Sequence, residues 1–160
     1  MDDLIFALKI IAALGCGLIA GAFFAFSSFI MRALGQLPAP NGISAMQSIN
    51  VVVMNPVFLG VFVGTVFICL AAMVLALVRW WQGAGSMWVL AGGVLYIAGC
   101  FAVTMLLNVP LNDAIAKADP TSAEGAALWT NYLDKWTMWN TVRTIASLAA
   151  SAAFIIGLRY

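Results

Sequence analysis

The sequence predicts an all-α protein: a four-helix transmembrane bundle with short extra helices in the first and third connections. Only 8% of the residues are charged and 64% are hydrophobic, and the mean hydropathy is +1.06. Soluble globular proteins carry roughly 25% charged residues, so this chain lacks the charge to cover a water-facing surface. Apolar runs of about 20 residues, enough to cross a bilayer, recur along the chain. We therefore predict an integral membrane protein with a single domain over residues 1–160.

The four spans are predicted near residues 4–31, 56–78, 87–107 and 139–158, where charged residues are scarce. The first is predicted to be a retained span rather than a secretory signal peptide. Its first charges are acidic, and its apolar run continues beyond the length of a signal-peptide core. An even number of spans places both termini on the same side of the membrane.

Cap signals predict helical structure in two of the connections. In the first connection, residues 44–47 (SAMQ) form a capping box that opens a short helix, which residues 55–56 (NP) then interrupt. In the third connection, residues 121–124 (TSAE) repeat this signal. The helix that they open is predicted to carry Trp129 and Trp136 on one face and to continue into the fourth span.

Several function classes are excluded by what the chain lacks. It has no histidine, which removes the commonest metal ligand, the usual haem ligand and the usual general base. Its isolated cysteines argue against a disulfide framework; soft ligands of this kind suit Cu(I), but buried Cys and Met are far more often packing residues. A net charge of +1 offers no basic patch for nucleic acid. We expect no metal, no cofactor and no nucleic-acid partner; the cysteines are Cys16, Cys69 and Cys100.

Small residues recur every four positions on three of the predicted spans. Such stripes let membrane helices approach each other closely. They favour packing within the bundle over a dimer seam, and a homo-oligomer is the alternative. The residues are Ala13, Gly17, Gly21 and Ala25 on the first span, Gly60 and Gly64 on the second, and Ala149, Ala153 and Gly157 on the fourth.

The fourth span begins with a polar and aromatic stripe. Its members are spaced i, i+3, i+4 and i+7, so a helix places them on one face: Trp136, Trp139, Asn140 and Arg143. The 16 residues from Arg143 to Arg159 cover about 24 Å of helix, less than the roughly 30 Å hydrocarbon core. Either both arginines extend outward to the interface, or Arg143 lies inside the bundle. Two serines continue the stripe inward, which favours the second interpretation.

Further polar side chains are predicted at the same end of the bundle. Asn108 and Asn112 end the third span and share a face if the helix continues. The first connection adds Gln47 and Asn50, and Arg32 ends the first span. Amide and guanidinium donors favour a neutral carbonyl or an oxyanion as ligand, although they also bond between helices for packing alone. The opposite end carries mainly tryptophans typical of an interfacial belt: Trp80, Trp81 and Trp88.

At these residues the sequence resembles a family of small four-span membrane proteins that includes the anthrone oxygenases of polyketide pathways. The resemblance covers essentially the whole chain and is carried by residues 46–50 (MQSIN), 108–112 (NVPLN) and 136–143 (WTMWNTVR). It implies a four-helix membrane bundle. For some members it also implies oxidation of the activated methylene of an anthrone to a quinone by O₂, without an evident metal or flavin.

The implied chemistry needs an apolar slot for flat rings, hydrogen-bond donors for an enolate oxygen and a weak base. Trp136 and Trp139 are predicted to wall the slot. Further substrate-binding residues are predicted to be Gln47, Asn50 and Arg32. The catalytic residues that hold the oxyanion are predicted to be Asn108, Asn112, Asn140 and Arg143, and the candidate bases are Asp113 and Asp134.

Two other function classes stay open at this point. The first is a non-catalytic membrane protein that binds or carries a lipophilic quinone-like or lipid ligand in the same pocket. The second is a structural membrane subunit whose polar residues only fix helix packing. The partners are the lipid bilayer and, for the enzyme or the carrier, a lipophilic small molecule.

The distribution of Lys and Arg bears on the orientation in the membrane. The raw count slightly favours the long connections in the cytoplasm, but that excess disappears if Arg32 and Arg143 serve a site. We therefore predict cytoplasmic termini, in a bacterial inner membrane. The counted residues are Lys9, Arg79 and Arg159 on the side of the termini, and Arg32, Lys117, Lys135 and Arg143 on the opposite side.

Overall fold

A computed structural model describes residues 2–79 and 83–160. Within these ranges the chain is helical without strands, and four helices are long and apolar enough to cross a membrane. In chain order the helices are α1 (Asp3–Gly35), α2 (Ala39–Val52), α3 (Pro56–Val78), α4 (Gly85–Ala116) and α5 (Ala123–Gly157). The predicted all-α fold is confirmed, with four apolar helices that form a bundle and additional helical structure in the first and third connections.

The membrane helices cover the predicted spans, but three of them are longer. α1 continues to Gly35, α4 continues to Ala116, and α5 begins at Ala123 rather than near residue 139. At about 1.5 Å per residue, the 35 residues of α5 extend about 52 Å, whereas the hydrocarbon core is roughly 30 Å thick. The N-terminal part of α5 therefore projects beyond the membrane.

The bundle is arranged around α5, the most polar of the four long helices. α5 packs along α1 and α4, and α3 packs against the same two helices, so α3 lies diagonally across from α5. The core has two parts. One is an apolar cluster of small and aromatic side chains within the spans, and the other lies beneath α2 and includes Ile43, Met46, Trp129, Tyr132 and Trp136.

Small residues bring some of the helices into close contact, at one predicted stripe residue and at one glycine outside the stripes. A Cβ added at Gly99 would lie 2.6 Å from the Cβ of Ala146, which joins α4 to α5. Gly17 of α1 lies close to Ser151 of α5. The positions of Gly21, Gly60 and Gly64 differ from this pattern, because a Cβ added there would meet no atom within 4 Å. Those three glycines line the outside of the bundle.

The helix in the first connection begins earlier than predicted. α2 starts at Ala39, with Pro40 in its first turn, so Ser44 lies within the helix and does not cap it. The prediction of a cap at Ser44 was wrong because proline fits a first helical turn, where its missing N–H has no partner to lose. On the inner side, α2 packs tightly against α5, since a Cβ added at Gly42 would lie 2.8 Å from the Trp129 ring.

The third connection is a short turn that leads directly into α5. Ser122, not Thr121, is the N-cap, and its Oγ accepts a hydrogen bond of 2.9 Å from the Gly125 amide. Thr121 instead donates its amide and its hydroxyl to Asp119 Oδ1, which lowers the pKa of that carboxyl. From this cap α5 runs unbroken into the fourth span, as predicted.

Three π-helical segments interrupt the α-helical pattern in the described chain. One lies in α1 (Phe26–Ile30), and two lie in α4 (Ile97–Ala102 and Thr104–Asn108). Pro110 follows directly and the helix continues past it to Ala116. Single π turns are rare in proteins overall, and those that occur are often found at functional sites. All three occur in the half of the bundle that carries the polar stripe.

The end of the bundle near the termini is described in part. Trp80 and Trp81, two of the three residues of the predicted aromatic belt, lie outside the described residues, and Trp88 is exposed on α4. Lys9 is buried at this end and donates from Nζ to the Gly157 carbonyl at 2.6 Å. A cation is favourable there, because Gly157 ends α5 and the carbonyl end of a helix carries partial negative charge.

We expect Gly99→Ala to lower the thermal stability of the protein in detergent. The added methyl overlaps Ala146 and forces α4 away from α5, at a cost of about 1–3 kcal/mol. The matched control is Gly60→Ala, which points into open space. A thiol-reactive dye measures unfolding, since all three cysteines are buried. Equal unfolding temperatures for the two variants would show that α4 and α5 are not in close contact.

Candidate functional site

The centre of the polar end is the side chain of Arg143, which is only 3% exposed. Its Cζ lies 4.0 Å from the centroid of the Phe23 ring and 5.1 Å from that of Trp136. Two aromatic rings of different helices thus contact the guanidinium, in the geometry of cation–π interactions. The structure therefore places Arg143 inside the bundle, which is the second of the two interpretations given above.

All the hydrogen-bond partners of Arg143 are neutral. Nη2 donates to Asn140 Oδ1 at 2.7 Å, and Nη1 donates to Thr104 Oγ1 at 3.2 Å. Nε is buried and has no hydrogen-bond partner. Among residues 2–79 and 83–160, no carboxylate forms an ion pair with this guanidinium. A cation buried in a membrane bundle without a counterion is costly, so this charge favours an anionic ligand.

Asn140 connects Arg143 to α1. Its Nδ2 donates to the Phe23 carbonyl and to Ser27 Oγ, at 2.7 Å in each case. The π turn that begins at Phe26 disturbs the α-helical hydrogen-bond pattern of α1, and the amide supplies a donor to α1 at this point. With both N–H groups directed at α1, Asn140 presents its Oδ1 to Arg143. Asn140 is fully buried.

The side chains around Arg143, which include Asn140, Thr104, Phe23 and Trp136, are called the cluster below. Asn108 approaches this cluster from α4 and has one unused acceptor. It lies at the end of the second π segment of α4 and is fully buried. Its Nδ2 donates to the Trp136 carbonyl at 3.2 Å, whereas its Oδ1 has no partner. An unpaired buried acceptor is costly, and an ordered water or a ligand is the usual explanation.

Asn112 orients the aromatic side chains next to Arg143. Its Oδ1 accepts from the Tyr132 hydroxyl at 2.8 Å and from Trp136 Nε1 at 2.7 Å. The Tyr132 ring stacks on Trp136 and also on Trp129. Asn112 thereby fixes the plane of the Trp136 ring over the guanidinium, and its amide oxygen is directed at the aromatic side chains instead of a ligand.

α2 covers the polar end through two amides of different roles. Gln47 Nε2 donates to the carbonyls of Ile115 and Ala118, at 2.9 and 3.1 Å, and so caps the end of α4. Asn50 Nδ2 is buried and faces the Tyr132 hydroxyl, outside good hydrogen-bond geometry. Both predicted residues therefore belong to the cover of the cluster rather than to its centre.

A family model described as anthrone oxygenase matches residues 57–153. The match covers more than half of the chain. It contains the predicted residues Asn108, Asn112, Trp136, Trp139, Asn140 and Arg143. The chain belongs to the anthrone oxygenase family. No curated protein and no solved structure matches it.

Two predicted site residues lie away from the cluster of this anthrone oxygenase family member. Arg32 is exposed, and Trp139 is half-buried on the side of α5. The ring that contacts Arg143 opposite Trp136 is that of Phe23. The two candidate bases, Asp113 and Asp134, are both exposed at the end of the bundle. Among the described residues, the structure thus brings the three predicted amides, Asn108, Asn112 and Asn140, together near Arg143, but no carboxylate.

Sequence reasoning missed four residues of the cluster: Phe23, Ser27, Thr104 and Tyr132. Thr104 precedes Asn108, and Tyr132 precedes Trp136, by four positions. This spacing on one helix face is the signal that indicates Thr104 and Tyr132. Phe23 and Ser27 lie on α1 and have no such predicted neighbour.

The cysteines lie on the apolar side of the cluster. Cys16 and Cys69 contact each other in the apolar core, and the thiol of Cys100 faces Ser147, whose Oγ has no partner in good geometry. In the described ranges, no group of three His, Cys, Asp or Glu residues could hold a metal ion. An apolar groove of about 580 Å³ also runs outside the bundle between α1 and α5, past Gly17 and Ser151.

We expect Asn140→Leu to destabilise the folded protein strongly. The variant removes the contacts to Phe23 and Ser27 and leaves Arg143 with a buried, unpaired Nη2, which costs about 3–5 kcal/mol. The control is Ser28→Ala, which removes only bonds to the Phe24 and Ala25 carbonyls of the same helix. Thermal unfolding in detergent measures both. If Asn140→Leu unfolds at the temperature of Ser28→Ala, the cluster does not hold α1 to α5.

Proposed function

We propose that this protein oxidises a lipophilic aromatic ketone with O₂ through its enolate, without a cofactor. The observation that carries the proposal is Arg143, a buried cation with neutral partners and one unused N–H. An enolate supplies the missing negative charge. Stabilising the enolate lowers the free energy needed to remove the proton from the ketone, which is how preorganised donors accelerate such reactions.

The proposed reaction converts a methylene and O₂ into a carbonyl and water. A proton leaves the activated methylene, and the enolate forms. One electron passes from the electron-rich enolate to O₂, and the two radicals combine in a carbon–oxygen bond. The resulting peroxide takes up a proton; loss of the second methylene proton then breaks the O–O bond and releases water. No electron acceptor other than O₂ is needed.

The direction of approach follows from the groups that already surround the guanidinium. Phe23 and Trp136 contact the guanidinium through their rings, and Nη1 and Nη2 are bonded to Thr104 and Asn140. The Nε edge is the part of the group without a partner. We propose that the substrate oxygen binds in the guanidinium plane at Nε, with its rings against the aromatic side chains.

The Asn108 oxygen gives this site an acceptor as well as a donor. A ketone carries no proton for it, whereas the enol form and the hydroperoxide each carry one. We propose that Asn108 Oδ1 accepts that hydrogen bond during the reaction. Asn140 and Asn112 act as positioning residues, because one directs its oxygen at Arg143 and the other fixes Trp136.

No carboxylate in the described part of the chain is buried where it could receive the proton of the methylene. Asp113 and Asp134 remain the candidate bases, and both are exposed at the polar end. We propose that the proton leaves toward this aqueous end, with one of these carboxylates or water as acceptor. An activated methylene between two aromatic rings is acidic enough for a weak base to suffice.

A second candidate function is binding without turnover. The exposed position of both carboxylates favours it, because a carrier of a quinone-like ligand needs the donors but no base. Binding of the ketone or quinone by a folded protein that consumes no O₂ would identify this function.

The four apolar helices make this chain an integral membrane protein. Its orientation and the kind of membrane are proposals. With Arg143 inside the bundle, the excess of positive residues on the side of the connections disappears, and we propose cytoplasmic termini in a bacterial inner membrane.

Arg143→Lys tests the proposed role of the guanidinium. Lysine keeps the charge but lacks Nε and the planar fork, so we expect anthrone-dependent O₂ uptake in detergent to fall about 100-fold or more. Arg159→Lys, at the exposed opposite end, is the matched control and should retain the wild-type rate. Wild-type O₂ uptake by a folded Arg143→Lys variant would contradict the proposal.

We expect O₂ uptake to survive dialysis against EDTA and a chelator of soft metals. The physical reason is that the enolate gives its electrons to O₂ directly. Metal content is measured on the same dialysed sample, so that the rates before and after dialysis are compared at known metal content. A rate that is lost on dialysis and recovered with one particular metal would show that the reaction needs a cofactor.

A further inference from the structure

The exposed side of α2 changes from polar to apolar along its length. Its stripe of exposed residues begins with Asn41, Ser44 and Ser48 and ends with Val51 and Val52. These positions are three or four residues apart, so they form one face of the helix. Val51 is 75% exposed. One end of this face suits water, and the other end suits an apolar environment.

The apolar surface continues across the turn into α3. Met54 and Val57 follow Val52 by two and five residues, and both are exposed, Val57 at 78%. Beyond them, Phe67 and Val74 are exposed on the outside of the same membrane helix. The outer face of α3 faces lipid, because α3 is one of the four apolar helices that can cross the membrane. The surface of the turn is therefore continuous with the apolar outer surface of a membrane helix.

The turn forms several hydrogen bonds to its own backbone. Asn55 Nδ2 donates to the Val52 carbonyl, and Asn55 Oδ1 accepts from the amides of Val57 and Phe58, at 2.9 to 3.1 Å. The amides of Val53 and Met54 donate to carbonyls of α2. Internal bonding of this kind is what a chain needs where water cannot supply partners.

The opposite face of α2 is fixed, so the valines cannot turn inward. Ile43 and Met46 are buried in the part of the core beneath α2, with Trp129 and Tyr132. Gln47 bonds two carbonyls at the end of α4. α2 therefore holds one orientation about its axis, with the apolar end of its exposed stripe directed outward.

We propose that the turn between α2 and α3, residues 51–57, is inserted into the outer edge of the acyl-chain region of the bilayer. α2 then enters the interface at a tilt, with its first two turns at the level of water and head groups. At about 1.5 Å per residue, α3 spans about 35 Å against a hydrocarbon core of roughly 30 Å. This length places the turn at the boundary of the acyl region, at the shallow depth typical of interfacial helices. The inference is independent of the proposed oxidation.

The depth of the turn is measured with a nitroxide attached at Val52→Cys in the full-length protein, reconstituted in phosphatidylcholine vesicles. Collision rates are determined with O₂, which concentrates in acyl chains, and with a nickel chelate, which stays in water. The matched control is Ser44→Cys on the same stripe, and Val74→Cys on α3 is the lipid reference. The native cysteines are buried, and labelled wild type gives the background.

We expect the O₂-to-nickel ratio at position 52 to be several-fold higher than at position 44 and close to that at 74. Equal ratios at 52 and 44 would overturn the proposal. Spin–spin broadening at 52 that disappears on dilution with unlabelled protein would show a second copy on this surface, and would also overturn it. Met54→Cys reports on the same surface if Val52→Cys does not fold, as judged by thermal unfolding.

Discussion

The buried charge of Arg143 is the constraint on which the polar end of the bundle depends. A guanidinium in the interior of a membrane bundle must be solvated by the protein, because neither water nor lipid can do so. Rings of Phe23 and Trp136 and the oxygens of Thr104 and Asn140 provide that environment. They leave the charge itself uncompensated. The folded protein thus holds a cation among neutral groups, with its Nε unpaired.

The amides of this protein serve the backbone as well as the site. Asn140 donates to the Phe23 carbonyl, Asn108 to the Trp136 carbonyl and Gln47 to two carbonyls of α4. In lipid, an unbonded carbonyl is costly, so Asn140 supports α1 beside its π turn and Gln47 supports the end of α4, whereas Asn108 joins α4 to α5. In Asn140 and Asn108 the amide nitrogen contacts a backbone; the oxygen of Asn140 accepts from Arg143, and that of Asn108 has no partner.

The uncharged runs were enough to predict the four spans, although three of the helices are longer. The helical spacing of the fourth span favoured Arg143 inside the bundle over an outward position. The partner ring Phe23 could not be predicted, because it depends on how α1 is rotated against α5. The face of α4 was also hard to predict. Cys100, Thr104 and Asn108 recur every four residues, a spacing that drifts around a regular α-helix of 3.6 residues per turn. A sustained spacing of four indicates wider turns, and the two π segments of α4 have them.

These wider turns make the geometry of the site depend on the number of residues in α4. Gly99 contacts Ala146 of α5, and Asn108 bonds Trp136 of the same helix. In a regular α-helix, two residues nine positions apart point about half a turn away from each other. The π segments absorb this rotation, so both residues face α5. A one-residue deletion between them would swing the amide toward another neighbour while every remaining side chain kept its identity. Homologous chains could thus gain or lose this site by a change in length alone.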